Sequence, residues 1–539
     1  VVEEEGAQSG PLIRFVNAIA AVTATEFPDK LIDTLAYWYT LDAPQHAVPH
    51  PNVRVRLCSI RCCQGHPYGT CDHPESARFL RALEEWGRVT KQMYIWHYCT
   101  DFAHYPLPMP NFAELHGNIN LYRDAGVYGV FMQGMGEDGG GGEMMPLRGW
   151  LLSKLLWNPR RDPQPLIDEF LAAYYGAAAP AVRRYLDLFH DRVREDRSVH
   201  PSLYDPPTSS LFDGDIIPTA DAALAEGEAQ VRGEERQRVR LLRAGLTYAR
   251  LWRIGGDFHR DGDSFAGPAT ARDAADLDGM LKDFTAAGMR RIREGAPFEV
   301  TAAILRNRFA AHPIAWLRDG DSAAAVVPNL GGRLLELYLG GRQWLAPPDP
   351  ENLWQPYPMS EGYAESVSLH AYTQYGGTER YRVKRLADNY LEVSADVPHG
   401  LRLTRRYRVK SQELMIESLV QNRGNTPQHV CWGAGLHLLA AGAATTFTSA
   451  RGAESIAWDA LPDGLGSARV LEDPQLPHSS WAVGVDGLRL THLFDGGISR
   501  AILGKEERTG MLALDIRSPY CDLAPGEAMG FLQVISLDQ

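Results

Sequence analysis

Two strand–loop–helix units stand side by side in this chain, and they restrict its fold more than any other feature. The first runs Met93-Tyr94-Ile95-Trp96-His97-Tyr98-Cys99-Thr100-Asp101 into a helix expected at about 111–125. The second runs Tyr128-Gly129-Val130-Phe131-Met132-Gln133-Gly134 through Glu137, Asp138 and four glycines to Glu143 and another helix. Apolar runs that lead into amphipathic helices read as parallel strands with crossovers. In such folds the loop after each strand lies at the C-terminal ends of the strands, where active sites are built. That side is expected to carry Trp96, His97, Tyr98, Asp101, Gln133, Glu137, Asp138 and Glu143. Aromatics, amides and carboxylates without a lysine suit a sugar.

The pattern extends in both directions. A helix is expected over 9–26, with Pro11 in its first turn and Leu12, Phe15, Val16 and Ile19 on one stripe. Strands follow at 31–38 and 53–59, then a helix at about 75–88 that carries Phe79, Leu80, Leu83 and Trp86. After the two opening units come helices at 146–157, 163–175, 179–194, 217–231, 233–255 and 270–294. From about residue 314 the pattern becomes short alternating strands separated by Gly, Asn and Asp, which favours a large β-sandwich. The expected fold is therefore multidomain, α/β followed by β. It comprises the C-terminal part of a (β/α)8 barrel of the TIM type over 1–195, a helical accessory region over 196–310 and a sandwich over 311–539. Four strands are too few to close a barrel, so the expectation includes an earlier half upstream of Val1.

At 539 residues the chain is long enough for several cores. A net charge of −13 argues against a nucleic-acid partner, which needs a basic face. No apolar run is long enough to span a membrane. The chain opens on Val1 rather than Met, so a leader is neither seen nor excluded, and the compartment stays open, with a secreted or periplasmic one among the options. Nothing sets an oligomeric state. Four cysteines cluster at Cys58, Cys62, Cys63 and Cys71, with His66 and His73 nearby. A metal, one disulfide and plain buried thiols all fit that spacing, which matches no closed zinc pattern, so neither metal nor cofactor is expected.

Hydrolysis of a glycosidic bond needs two carboxyl groups across it. Glu143 is the first choice: it follows a glycine-rich loop and precedes a helix whose N-terminus would favour its ionised form. Asp101 could orient His97 or accept sugar hydroxyls, or simply cap its own turn. His97 could act as a base or bind a substrate carboxylate. Trp38, Tyr39, Trp96 and Tyr98 are candidate sugar platforms, with Arg61, Gln133, Glu137 and Asp138 as further substrate-binding candidates. Gly139–Gly142 lacks the Gly-Lys-Ser/Thr ending of a phosphate loop.

The stretch from about Gly10 to His190 resembles a bacterial family of uncharacterised glycoside-hydrolase-like proteins. The residues that carry this are Phe15-Val16-Asn17, Leu35-Ala36-Tyr37, Leu57-Cys58-Ser59-Ile60 with Cys62-Cys63, Tyr94-Ile95-Trp96, Pro110-Asn111-Phe112, Gly129-Val130-Phe131 with Gln133-Gly134, and Leu155-Leu156-Trp157-Asn158-Pro159. The family's barrel is similar to those of α-glucuronidases and β-hexosaminidases. The resemblance implies a glycosidase acting on a polysaccharide-derived, uronic-acid or amino-sugar glycan, with a carbohydrate as its partner. Relatives carry Asp where this chain has His97 and Glu where it has Met132, which keeps a non-catalytic carbohydrate-binding protein open as the alternative. From about 314 the chain resembles the galactose-mutarotase-like supersandwich. Pro328-Asn329-Leu330-Gly331-Gly332 matches its opening hairpin and Gly433-Ala434-Gly435-Leu436-His437 its histidine-bearing strand. The mutarotase's glutamate motif is not found, so an accessory sandwich is expected. A polysaccharide lyase is disfavoured because such lyases pair the sandwich with a helical toroid.

Overall fold

The computed structural model describes residues 1–134, 142–254, 259–266, 270–347, 362–370, 373–377, 379–464, 468–495 and 497–538. Two compact units emerge, residues 1–254 with 275–301, and residues 255–274 with 302–539.

The first unit is built on a parallel sheet. Its elements are α1 (Val2–Glu5), α2 (Ser9–Glu26), β1 (Ile32–Ala36), β2 (Val53–Cys58), α3 (Pro74–Val89), β3 (Met93–Tyr98), α4 (Phe112–Asp124) and β4 (Gly129–Gln133). They are followed by α5 (Met145–Trp157), α6 (Pro163–Tyr175), α7 (Ala179–Glu195), α8 (Ile216–Gln230) and α9 (Gly233–Trp252). The strands pair in chain order, β1-β2-β3-β4, all parallel. One sheet face is dry. Val53, Val55, Leu57, Met93 and Ile95 pack there against Ile13, Val16 and Ala20 of α2, Phe79, Leu83 and Trp86 of α3, and Tyr122 of α4. Phe79, Leu83 and Trp86 sit at helical spacing, so α3 turns one stripe to the sheet. Trp86 is fully buried, and its indole N–H donates to the Leu41 carbonyl at 2.8 Å. Truncating such a side chain costs about 3–5 kcal/mol.

Strand alternation sends Asp33, Leu35, Arg54, Arg56, Tyr94, Trp96, Gly129, Phe131 and Gln133 to the other face. Leu35 and Phe131 are 38% and 43% exposed there, and Asp33 bridges Arg54 and Arg56 at 2.5 and 3.0 Å. Sequential winding with helices on one face is how barrels are built. Among the described residues, however, β1 pairs only with β2 and β4 only with β3. The architecture present is thus an open parallel sheet with helices, and a TIM barrel is not shown.

Helices α8 and α9, expected within a separate helical region, group with the first unit. The helix expected over 270–294 stops at Ala286. Gly288 (φ 73°) turns the chain, and the Met289 N–H closes back on the Phe284 carbonyl at 3.0 Å. Residues 289–297 are thereby released as a loop. Its backbone bonds to the loop after β3, Tyr105 N–H to Ile292 O at 2.9 Å and Glu294 N–H to Phe102 O at 2.8 Å.

The second unit is a sandwich of two large antiparallel sheets. One is centred on Tyr363–His370, Gln428–Leu439 and Met511–Arg517, the other on Leu401–Lys410, Glu413–Asn422 and Ala528–Asp538. Period-two alternation buries Leu401, Leu403, Tyr407 and Val409 from one strand with Leu414, Ile416 and Val420 from its neighbour, against Leu334, Leu337 and Leu436 of the facing sheet. One ion pair lies inside this core. Arg405 Nε meets Glu365 Oε2 at 3.0 Å, both about 3% exposed. Ser418 donates to Glu365 at 2.6 Å and the Trp432 indole N–H at 3.2 Å, so the buried charge is fully partnered. Among the described residues no helix is long and apolar enough to cross a membrane.

Candidate functional site

At the C-terminal ends of β1–β4 the open sheet face forms a cavity of about 230 Å³. Leu35, Tyr37, Cys58, Ile60, Trp96, Tyr98, Phe102, Gln133, Tyr204 and Glu294 line it. Its wall is a chain of ring contacts. Phe131 meets Trp96 edge-on at 4.9 Å, Trp96 stacks with Tyr98 at 6.4 Å, Tyr98 meets Phe102 at 6.0 Å, and Phe102 meets Tyr204 at 6.2 Å. The Trp96 indole N–H donates to Gln133 Oε1 at 2.7 Å, which fixes both side chains and orients the Gln133 amide.

Trp38 and Arg61, singled out from sequence, come together: the Arg61 guanidinium sits 4.0 Å over the Trp38 ring. Trp38 is 49% exposed and Tyr39 69%. Trp38 holds φ 54°, an unusual conformation for an aromatic residue. The turn is pinned by Thr40, whose N–H donates to the Tyr37 carbonyl at 3.0 Å and whose hydroxyl accepts from the Tyr37 N–H at 3.1 Å.

The expected polar residues are distributed differently. Alternation along β3 turns His97 to the helix-covered face, away from Trp96 and Tyr98. It is fully buried, with Nδ1 2.9 Å from the Tyr122 hydroxyl and Nε2 3.2 Å from Glu114 Oε1. Glu114 also accepts from Asn118 Nδ2 at 2.6 Å. Burial pushes the Glu114 carboxyl above its ordinary range, against the pull of His97 and Asn118. This network joins α4 to the sheet.

Asp101 is buried at the end of β3 and caps its own turn, accepting from the Ala103 and His104 N–H groups at 2.9 and 3.1 Å. Burial, and after it the charge of Asp205, hold its carboxyl well above the usual range. Glu143 is also buried. It accepts from the Tyr185 hydroxyl at 3.0 Å and the Met109 N–H at 3.4 Å, and pairs with Arg148 at 3.3 Å. Burial raises its carboxyl against the pull of Arg148 and Tyr185. That reverses the expected effect of the helix N-terminus, because desolvation of a buried carboxylate outweighs a terminal dipole. Glu137 and Asp138 lie outside the described residues.

Sequence reasoning did not single out Tyr204, Asp205 or Glu294 for this site. Tyr204 and Asp205 lie in a proline-rich stretch between the helices expected at 179–194 and 217–231. Glu294 was placed in a helix, and the one available signal was Gly288, a helix stop. The cysteine cluster also resolves unexpectedly. Cys63, His66 and Cys71 gather with His200, their ligand atoms all within 4.8 Å of one another. The Cys58 and Cys62 thiols instead donate to the carbonyls of Arg56 and Glu75, and all seven cysteines are free thiols. In the sandwich His437, the counterpart of a mutarotase histidine by resemblance, is fully buried, with Nε2 3.3 Å from Asp515.

Residues 1–187 match the family described as Domain of unknown function (DUF4838). No curated protein matches the chain. Among solved structures, the Slr1438 protein of Synechocystis is similar at 15% identity and TM-score 0.34 over 42% of this chain and 95% of that one. A galactose mutarotase-like protein from Lactobacillus casei aligns at 10% identity and TM-score 0.34, over 42% of this chain and 100% of its own. A GalM/aldose epimerase homologue from C. elegans aligns at 11% identity and TM-score 0.33, over 42% and 99%. At such distance no activity transfers, and the chain's likeness to a described family rests on its first 187 residues.

Proposed function

We propose that the parallel-sheet unit binds a carbohydrate in the aromatic cavity at the ends of β1–β4. The observation that carries this reading is the continuous ring wall from Trp96 through Tyr98 and Phe102 to Tyr204, with Gln133 and Glu294 also in the lining. Sugar C–H faces stack on aromatic rings, while amide and carboxylate groups orient hydroxyls. Titration calorimetry against a panel of neutral, uronic-acid and amino-sugar oligosaccharides tests it. Trp96→Ala should weaken the bound glycan about tenfold or more, since each 1.4 kcal/mol is a factor of ten. Trp157→Ala, at a ring 92% exposed and outside the cavity, should leave affinity unchanged. Equal affinity in parent and Trp96→Ala would sink the reading.

Glycoside hydrolysis is the second reading, favoured by the Glu294 carboxyl beside the ring wall. Hydrolysis needs a second carboxyl about 5–5.5 Å away for retention or about 6.5–9.5 Å for inversion. Glu137 and Asp138, which follow β4 in the sequence, are the candidates for it. Product release from aryl glycosides that is abolished in Glu294→Gln while binding survives would establish turnover. Binding without release leaves a carbohydrate-binding unit.

A further inference from the structure

We propose that Cys63, His66, Cys71 and His200 bind one zinc ion in a closed site that staples the loop after β2 to the segment after α7. Their four ligand atoms lie within 4.8 Å of one another. Zinc–sulfur and zinc–nitrogen bonds of about 2.3 and 2.0–2.1 Å place tetrahedral ligands about 3.3–3.8 Å apart. The contacts present bracket that edge: Cys63 Sγ is 3.3 Å from His66 Nδ1, and Cys71 Sγ is 4.0 Å from His200 Nδ1.

Outer contacts aim both imidazoles. His66 Nε2–H donates to the Val193 carbonyl at 2.9 Å, leaving Nδ1 as the lone pair that faces Cys63. His200 Nε2 lies 3.3 Å from Asp72 Oδ1, so its Nδ1 faces Cys71. A carbonyl or carboxylate behind a histidine is the arrangement that orients metal ligands. Cys63 Sγ also accepts the Gly65 N–H at 3.4 Å. Gly65 is required there because a Cβ would lie 2.7 Å from Val193 Cγ1 and 2.8 Å from Pro201 Cδ. Two thiolates and two neutral imidazoles match zinc in number and softness, and four protein ligands leave no open position for chemistry.

The staple has a structural consequence for the cavity. The β2 loop carries Ile60 and Arg61, and the segment containing His200 continues to Tyr204. Besides the proposed ion, these segments meet through the Gln64 N–H, which donates to the Pro201 carbonyl at 2.7 Å. With that bond, with Arg197 Nη2 on the Thr70 carbonyl at 2.5 Å and with the Asp72–His200 contact at 3.3 Å, the metal helps to fix the spacing of two walls of the cavity. The zinc site stands on its own geometry, whether or not a sugar binds there.

Metal analysis of the purified full-length chain tests this. About one zinc per chain is expected after gel filtration, and Co2+ exchange should give the visible bands of a tetrahedral thiolate site. Cys63→Ser and Cys71→Ser should each lose the ion, whereas Cys62→Ser should retain it. Asp72→Asn should bind zinc about ten- to a hundredfold more weakly. If the cysteine variants fail to fold, the parent still decides. Maleimide labelling of Cys71 should be slow as purified and fast after chelation. Absence of metal with freely reactive thiols would overturn the assignment. So would a Cys63–Cys71 disulfide found by mass spectrometry, or loss of zinc from Cys62→Ser.

Discussion

Glu143 offers a direct test of whether a carboxylate picked from sequence serves chemistry or the fold. In Glu143→Gln the side chain keeps its shape and one carbonyl oxygen but loses its charge. Arg148, 1% exposed, then faces only neutral acceptors: the Glu143 backbone carbonyl, the Met109 carbonyl at 3.1 Å and Asn111 Oδ1 at 3.2 Å. Breaking one side of a buried pair costs about 3–5 kcal/mol, because the remaining charge is left in low dielectric. The retained amide oxygen places this variant at the lower end, about 3 kcal/mol. For a unit of this size each kcal/mol moves the midpoint by about 2–4 °C, so a drop of about 6–12 °C is expected. Calorimetry should show it in the transition of the parallel-sheet unit alone, since the sandwich is a separate compact unit. Adding Arg148→Met should recover at least about 1 kcal/mol by removing the stranded charge. Sugar affinity, measured below the transition, should stay at the parent's value. A variant as stable as the parent that has lost turnover would refute the reasoning and make Glu143 a catalytic group.

The turn after β1 gives a second prediction, because Trp38 is held at φ 54°. Trp38→Gly should be about 1 kcal/mol more stable than Trp38→Ala, reversing the usual order, since only glycine tolerates that conformation without strain. Both should bind sugar more weakly than the parent if the Trp38–Arg61 pair faces the ligand; denaturant titrations and calorimetry read the two effects. A third concerns acid. The hydrogen bonds from Arg54, helped by Arg56, hold the Asp33 carboxyl at about 2 rather than 3.8, despite partial burial. A depressed carboxyl contributes stability that is complete above 3.8 and lost as pH falls toward 2. The parent should therefore lose more stability than Asp33→Asn between about pH 5 and about pH 2.5. Identical losses would show that the Asp33–Arg54 pair contributes nothing.

Local signals sufficed where one element decides the outcome. Phe79, Leu83 and Trp86 at helical spacing placed α3. Short alternating strands after about residue 314 pointed to a sandwich, and one of them, Leu401–Lys410, buries Leu403 and Tyr407 by that alternation. Even β1–β4 were legible, because the apolar runs of β2, β3 and β4 each lead into a helix and β1 is a short apolar run of the same kind. Barrel closure was a different matter, since it depends on partners for β1 and β4 that no local pattern encodes. The lining of the proposed cavity was legible only in part. Trp96, Tyr98 and Gln133, all named from sequence, line one cavity, but the same reading groups His97 with them although a strand sends neighbouring residues to opposite faces. The four-ligand cluster escaped notice because His200 lies 129 positions after Cys71, far outside any local spacing rule.

The displacement of the expected carboxylates follows from what the ends of parallel strands require. A loop that leaves a strand must satisfy its own backbone donors, and a short acid is the cheapest way to do it. Asp101 does this with the Ala103 and His104 N–H groups. Glu143 accepts instead the Met109 N–H of the neighbouring loop after β3, while balancing an arginine that itself ties three carbonyl or amide oxygens together. Both acids are thus committed to backbone at the strand ends, Asp101 within its own loop and Glu143 across to the loop after β3. The cavity's other lining groups come from elsewhere in the chain, on segments held against the strand ends by backbone bonds. Tyr204 arrives beside Leu203, whose carbonyl accepts the Phe102 N–H at 2.7 Å, and Glu294 arrives through its own N–H on the Phe102 carbonyl. One residue of the β3 loop therefore docks both incoming segments, so moving Phe102 should disturb the two distant walls of the cavity together.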